Sequence, residues 1–467
     1  MLNHTWRRAP LVVAIASAIS APTSAAMLEE SLSAINVRTL EDPTYNQSFN
    51  GYDVAVLPDG GFAVVWAEQF SRGYGVEENW PDAVQLQRFD EYAQPVGETL
   101  TLYETEAAAG SLAMSAPSLA ADATGDLVVA WTTQGHFCED DLFVQRIDGD
   151  VVSDADLPAP IPVTTDVCEP DIAVDADGDF AVVWKTGNRS ALRTFSADGS
   201  ALSSRIYLTN GSSDSPTVAI SPEGTILAGW SSGYLVYGHR YSLDGTPLGD
   251  EFRLDTDREL QDSSTVMDEP SVAADTEGGF VALWNQLQPN ISTSEDVRTI
   301  RAQRWHADGT PGAALQYGDS APDRYTHDVE VSAASLGVNE RGEAAAVWFR
   351  DPDEKVPEFK ITAFDGDNAI IENETQFVPG SELSTDTTVR KPRIATGYGT
   401  TVMIWAQREP DQPYELNAQS YKDPSDPNPP EDGGGFVESS SGGGGALGPL
   451  ASLLMMLAGF WRWLLRR

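Results

Sequence analysis

Seven times along this chain a tight turn runs straight into a short strand that ends in tryptophan. The clearest copy is DADGDFAVVW at residues 175–184, and the others end at Trp66, Trp131, Trp230, Trp284, Trp348 and Trp405. In every copy a glycine stands six positions before the tryptophan: Gly60, Gly125, Gly178, Gly224, Gly278, Gly342 and Gly399. A glycine kept at one place in a turn points to a backbone bend that other residues resist. Self-similarity on this scale points to a repeat array rather than two or three unrelated domains. Successive tryptophans fall 46 to 65 residues apart, more than four short strands need, so the excess belongs to loops.

Each repeat resolves into four strand-like pieces. The first follows a proline or acidic residue (APSLAAD, EPDIAVD, SPTVAIS, EPSVAAD, KPRIATG), and the second ends in the tryptophan. The third reads VQLQRFD, LFVQRID, VYGHRYS or IRAQRWH. The fourth, such as TLTLYET or EFRLDTD, is reached through turns like SADGSA and SLDGTP, whose Asp-Gly pairs suit hairpins. The last repeat, from Lys391, has three pieces and then runs into DPSDPNPPEDGGG, while residues 34–40 form an orphan fourth piece at the other end. The count predicts an all-β chain: a seven-bladed β-propeller over residues 31–423, closed by an N-terminal strand near Ile35 that pairs with the strand around Leu416. That closure resembles the one in WD-repeat proteins.

The second strand explains why the repeats need one another. In GDFAVVW, Phe180, Val182 and Trp184 point one way and Ala181 and Val183 the other, so both faces are apolar and both must be covered. A one-sided sheet would alternate apolar with polar. Burial of these side chains is worth roughly 1.5–3 kcal/mol each before entropy is subtracted. The tryptophans are therefore core, not a ligand-binding row.

Charge limits the partners. With 29 basic residues against 71 acidic ones, the formal net charge is −42, which argues against nucleic acid or an anionic membrane. No cofactor is implied. The acidic DADGD turns lack the spacing of an EF-hand loop, and several copies lose acids, with one left in SPEGT and none in GYGTT, so turn chemistry is the reading and no metal site is assigned. His136, His239, His306 and His327 are scattered among the repeats without zinc-ligand spacing. The Asp-box of sialidase-type propellers sets a glycine about three positions before an aromatic, and the spacing of six here does not match it. Arg88, Arg146, Arg240 and Arg304 recur in the third strand as candidates for an ion pair repeated with the blade.

Both termini carry addresses. Residues 1–26 have a basic start (Arg7, Arg8), a short apolar run and small residues at Ala25 and Ala26, which read as a signal peptide for signal peptidase. In an exported chain the two cysteines, Cys138 and Cys168, are expected to form a disulfide: one lies in a two-to-three loop and the other just before the next first strand, at the same end of neighbouring blades. Residues 424–445 form a Gly/Ser/Pro-rich linker, and residues 446–467 are expected to form a transmembrane helix with a basic finish. The order of Ser439, Ser440 and Ser441, then Gly442, Gly443, Gly444 and Gly445, then the apolar segment and its arginines, resembles the GlyGly-type C-terminal sorting signal of Gram-negative bacteria. That resemblance implies processing near the glycines by a rhombosortase-type intramembrane protease, then type II secretion to the cell surface or medium. The strand pattern IRAQRWHADGTPG also resembles tandem repeats of large secreted bacterial proteins.

For function, the blade-one loop offers Phe70, Arg72, Tyr74 and Trp80 as a candidate binding face for an unknown extracellular ligand. The first strands are mostly small and apolar, which predicts a channel lined by small apolar residues. The reading therefore leans away from an enzyme, toward a module that binds an extracellular polymer or protein. The alternative is a polysaccharide-degrading hydrolase or lyase, which would show two carboxylates and a perturbed acid at the channel mouth.

Overall fold

The computed structural model describes residues 30–31, 34–40, 47–70, 82–105, 116–133, 140–256, 266–290, 295–317, 322–324, 331–350, 358–365, 370–377, 388–389 and 391–423. The repeated turn is closed by its own first side chain. Asp175 Oδ1 accepts the N–H groups of Asp177 and Asp179 at 3.0 and 2.9 Å, and Asp122, Asp275 and Asn339 do the same in their repeats. These oxygens are spent on backbone donors, which is turn chemistry. Gly178 sits at φ +86°, and a Cβ there would stand 2.4 Å from Arg146 Nη1 of the preceding repeat. Both the bend and the neighbour demand glycine.

Out of each turn comes the strand ending in tryptophan, and each of the seven tryptophans is at most 3 % exposed. Phe180, Val182 and Trp184 pack with Val128, Ala130, Leu142 and Val144 of the preceding repeat. Ala181 and Val183 pack with Val218, Ile220 and Ala228 of the following one. The same two-sided arrangement recurs at every junction, including the one between the last repeat and the first, where Val402 and Ile404 meet Val54 and Trp66. The innermost strands lie side by side in chain order, and Arg393–Gly397 of the last repeat lies against Gln47–Val56 of the first. The orphan N-terminal strand Ile35–Thr39 completes the last sheet: Ile35 lies opposite Ala418 and Arg38 opposite Leu416.

Side chains from the third strand tie one repeat to the next. Arg88 donates to the carbonyl of Gly125, Arg146 to Gly178 and Arg304 to Gly342, each in the following repeat's turn. The repeated ion pair expected for them occurs at Arg146, with Asp122 and Asp126, and at Arg304, with Asp275. For Arg88, Arg146 and Arg304 the common element is instead the carbonyl of the next turn, while Arg240 donates to the carbonyls of Ala307 and Asp308.

Several expectations need correction. The hydrogen-bonded sheets do not number seven separate blades. Among the described residues there are six, because the strand Ile161–Val174 pairs with repeat two on one side and repeat three on the other. No sheet closes on itself; apolar faces, not a continuous ladder, join neighbours around the ring. The fold is thus all-β and propeller-like. Its one helical element among the described residues is the single turn Asp154–Asp156, and none of those residues forms a helix long and apolar enough to cross a membrane. The sorting helix expected at residues 446–467 lies outside the described residues. Cys168 is buried, but Cys138 lies outside the described residues. The described residues therefore contain no cysteine pair, and the expected disulfide is not part of this structure among them.

Candidate functional site: the axial cavity

The seven inner strands surround a cavity of about 720 Å³. Their register against the second strand is the same in all repeats. The residue paired with the position just before the tryptophan is Asp53, Ser118, Asp171, Thr217, Ser271, Ser335 and Arg393 in turn. All seven are polar, and all line the cavity.

Most of this ring is a set of ties between neighbours. Asp53 Oδ2 accepts Leu119 N at 2.9 Å, Ser118 Oγ accepts Ile172 N at 3.2 Å, Asp171 Oδ2 accepts Val218 N at 2.9 Å and Ser335 Oγ accepts Ile394 N at 3.1 Å. Each bond satisfies an inner-strand N–H that faces the cavity rather than a ladder partner. At the last junction the ring residue is Arg393, which carries donors only and cannot accept Val54 N. That N–H turns to its own neighbour Asp53 Oδ1, at 3.0 Å. The junction is held instead by Tyr52, whose hydroxyl donates to Lys391 O at 2.7 Å and accepts Ala406 N at 3.0 Å.

Charge is concentrated on one side of the ring. The Ser118 hydroxyl stands between the two acids, 3.3 Å from Asp53 Oδ2 and 2.9 Å from Asp171 Oδ1. Burial pushes the Asp53 carboxyl up to about 6, against the pull of Arg393 and of the Leu119 and Val54 N–H groups, and Asp171 adds to the rise. Burial raises Asp171 as well, opposed by Val218 N–H, the Ser118 and Thr217 hydroxyls and Arg393. Removing an ionised carboxylate from bulk water is the larger effect at both positions. Ser271, Thr217 and Ser335 make the other side neutral.

The rim of the mouth is strained. Pairing slips just ahead of the ring residue in five repeats, and three of them hold a non-glycine residue in the left-handed region there: Glu169 at φ 51°, Ser215 at 48° and Glu269 at 46°. Each precedes a proline, which itself disfavours α conformations, so the arrangement costs of order 1–3 kcal/mol apiece. The bulge lifts these residues onto the rim. There Lys391 Nζ meets Glu269 Oε1 at 2.5 Å, and Asn285 donates to the other oxygen of Glu269 at 2.9 Å. Tyr398 adds one aromatic ring to the cavity lining.

None of these residues was singled out from the sequence. Phe70 ends the strand Phe62–Phe70, while Arg72, Tyr74, Trp80 and Gly442, Gly443, Gly444 and Gly445 lie outside the described residues. The signal for the ring was nevertheless present. In APSLAAD, EPDIAVD, SPTVAIS, EPSVAAD and KPRIATG the residue after the proline is polar every time, and the rest reads as small and apolar. The prediction of an apolar channel followed from that remainder.

No protein family matches the chain, and no curated protein matches its sequence. Among solved structures, it is similar to a protein of unknown function from Dyadobacter fermentans (TM-score 0.48, 11 % identity, covering 84 % of this chain and 98 % of that one). It is also similar to a polysaccharide lyase, an ulvan lyase (TM-score 0.47, 10 % identity, 81 % and 95 %). A third is an α-L-arabinofuranosidase of Fusarium graminearum in complex with arabinobiose (TM-score 0.44, 10 % identity, 84 % and 98 %). The lean away from an enzyme is corrected on the cavity itself. That lean rested on a small apolar lining, and beside apolar residues such as Ala55, Ala121 and Ile172 the cavity presents a polar ring with two half-buried carboxyls of raised pKa.

Proposed function

We propose that the protein binds and cleaves a polysaccharide in the axial cavity. The observation that carries this reading is Asp53: a carboxyl held near 6, one hydroxyl away from a second half-buried carboxyl, in a cavity of sugar-binding size with a polar ring. A group with that pKa holds a proton at mildly acidic pH and can release it to the oxygen leaving a glycosidic bond. Asp171 is the second carboxylate, available to a proton or to positive charge developing on the sugar ring. Hydroxyls at Ser118, Thr217, Ser271 and Ser335 offer a polyol the donors and acceptors it expects.

Incubating the purified protein with a panel of neutral and acidic polysaccharides tests this. New reducing ends would mark cleavage, and ultraviolet absorbance of an unsaturated product would separate elimination from hydrolysis. Asp53→Asn should lower the rate roughly 10²–10⁴-fold while the protein still unfolds cooperatively. A second reading is favoured by the ring bonds themselves: the carboxylates only tie strands together. On that reading no polymer is cleaved, and Asp53→Asn changes stability alone.

Export is part of the same proposal and rests on residues 1–26 and the run Gly442 to Gly445. Mass spectrometry of protein recovered from the medium tests it; a chain still carrying residues 446–467 would count against rhombosortase-type processing.

A further inference from the structure

Arg393 differs from every other member of the ring that bonds to a neighbour. Its side chain lines the cavity and is half-buried, yet among the described residues its guanidinium makes no hydrogen bond and no ion pair. The reason lies in its neighbours. Asp53 and Asp171 feel its charge, but their oxygens are turned to Val54, Leu119, Ile172 and Val218 N–H and to Ser118. The five donors of a planar fork are thus left open to the cavity, in a protein whose acidic residues outnumber basic ones by 71 to 29. Lys391 stands two residues earlier on the same segment, at the rim, and is held by Glu269. The hydroxyl of Ser271, on the neutral side of the ring, also makes no hydrogen bond among the described residues.

From this we infer that Arg393 is the specificity anchor of the cavity and takes the oxyanion of an acidic sugar, a uronate carboxylate, in bidentate contact. The inference rests on the reading of the cavity as a saccharide site and names the substrate class. A guanidinium without an acceptor in a confined, partly desolvated cavity is poorly satisfied by a neutral polyol. A planar carboxylate matches its fork with two parallel, charge-assisted bonds. The cation also answers the repulsion that an acidic protein exerts on an acidic polymer, since surface charges are screened over about 8 Å at physiological ionic strength and the contact pair is not. A sulfate ester shares the oxyanion chemistry, and the experiment separates the two.

Calorimetric titration of the purified full-length protein with tetragalacturonate, a neutral tetrasaccharide (cellotetraose) and a sulfated neutral tetrasaccharide is the test, repeated on Arg393→Gln and Arg393→Lys. The expected result is preference for the uronate. Arg393→Gln should weaken it at least roughly tenfold and Arg393→Lys less, while neutral-sugar binding stays within about twofold. Unfolding midpoints near the parent's would show that both variants fold. Equal uronate affinity in Arg393→Gln, or binding of the neutral probe alone, overturns the inference and leaves the saccharide site standing. Preference for the sulfated probe overturns the carboxylate assignment. Silence from all three probes removes the saccharide reading together with the anchor.

Discussion

The second strands and the inner ring occupy paired positions in the same seven sheets, yet they are built on opposite terms. The position occupied by Trp184 never changes: it is tryptophan in every repeat and buried in every repeat. Its partner across the ladder, one step away, runs through aspartate, serine, threonine and arginine. Packing admits one answer repeated seven times, because each tryptophan fills an equivalent gap between two apolar faces. The ring is held by single hydrogen bonds that any short polar acceptor can make, so its chemistry is free to vary. Where an array repeats without variation, the repeat is structural. Where one register position varies in charge around a shared cavity, the array has room for function.

The largest test of that contrast is Trp184→Ala. Removing a side chain at 0 % exposure should cost about 3–5 kcal/mol in a denaturant titration. A loss below that of any single ring substitution would break the contrast.

A smaller effect belongs to Asp53. Its carboxyl moves from the model-compound value 3.8 to about 6 on folding, so between those limits the folded state holds a proton that the unfolded state has released. Stability should therefore fall as pH rises from about 4 to about 6, by as much as about 3 kcal/mol, and stay level in this term above 6. Asp171 pushes in the same direction. The difference between the parent and Asp53→Asn isolates the contribution, because the slope should flatten in the variant without vanishing. Identical slopes would show that Asp53 titrates as an ordinary surface acid.

The smallest belongs to the rim. Lys391 and Glu269 are partly exposed, so Lys391→Ala should cost no more than about 1 kcal/mol and less in high salt. A larger loss would mean that the pair props up the left-handed bend at Glu269 and that the rim belongs to the core's side of the comparison.

How much of this was readable in advance depends on the range over which each constraint acts. The turns were local: Gly60, Gly125, Gly178, Gly224, Gly278, Gly342 and Gly399 all carry φ between 68° and 86°, as a conserved offset from a tryptophan leads one to expect. The join of the two termini was readable too, because an unpaired fourth piece and a missing fourth piece are both visible in the letters. The seven-blade ladder was not, since Ile161–Val174 runs unbroken through two repeats where the repeat pattern puts a break. The ring was misread because alternation fails at a bulge. The residues around Glu169 and Glu269 slip the register just ahead of Asp171 and Ser271, so a count of apolar letters passes over the one polar position that lines the cavity in every repeat.

By itself, then, the order of residues determined the repeating unit: a glycine turn, a strand greasy on both faces and a tryptophan that must be covered from both sides. Those are interactions among near neighbours along the chain, or demands that any apolar partner can meet. Only the tertiary structure decided that Arg393, Asp53, Ser118 and Asp171 face one another. They stand up to 340 residues apart, as Thr400 and Gly60 do where they meet at the same seam, and no local rule connects them. Contact between them exists because seven apolar faces can be hidden from water only by leaning on one another until the last meets the first.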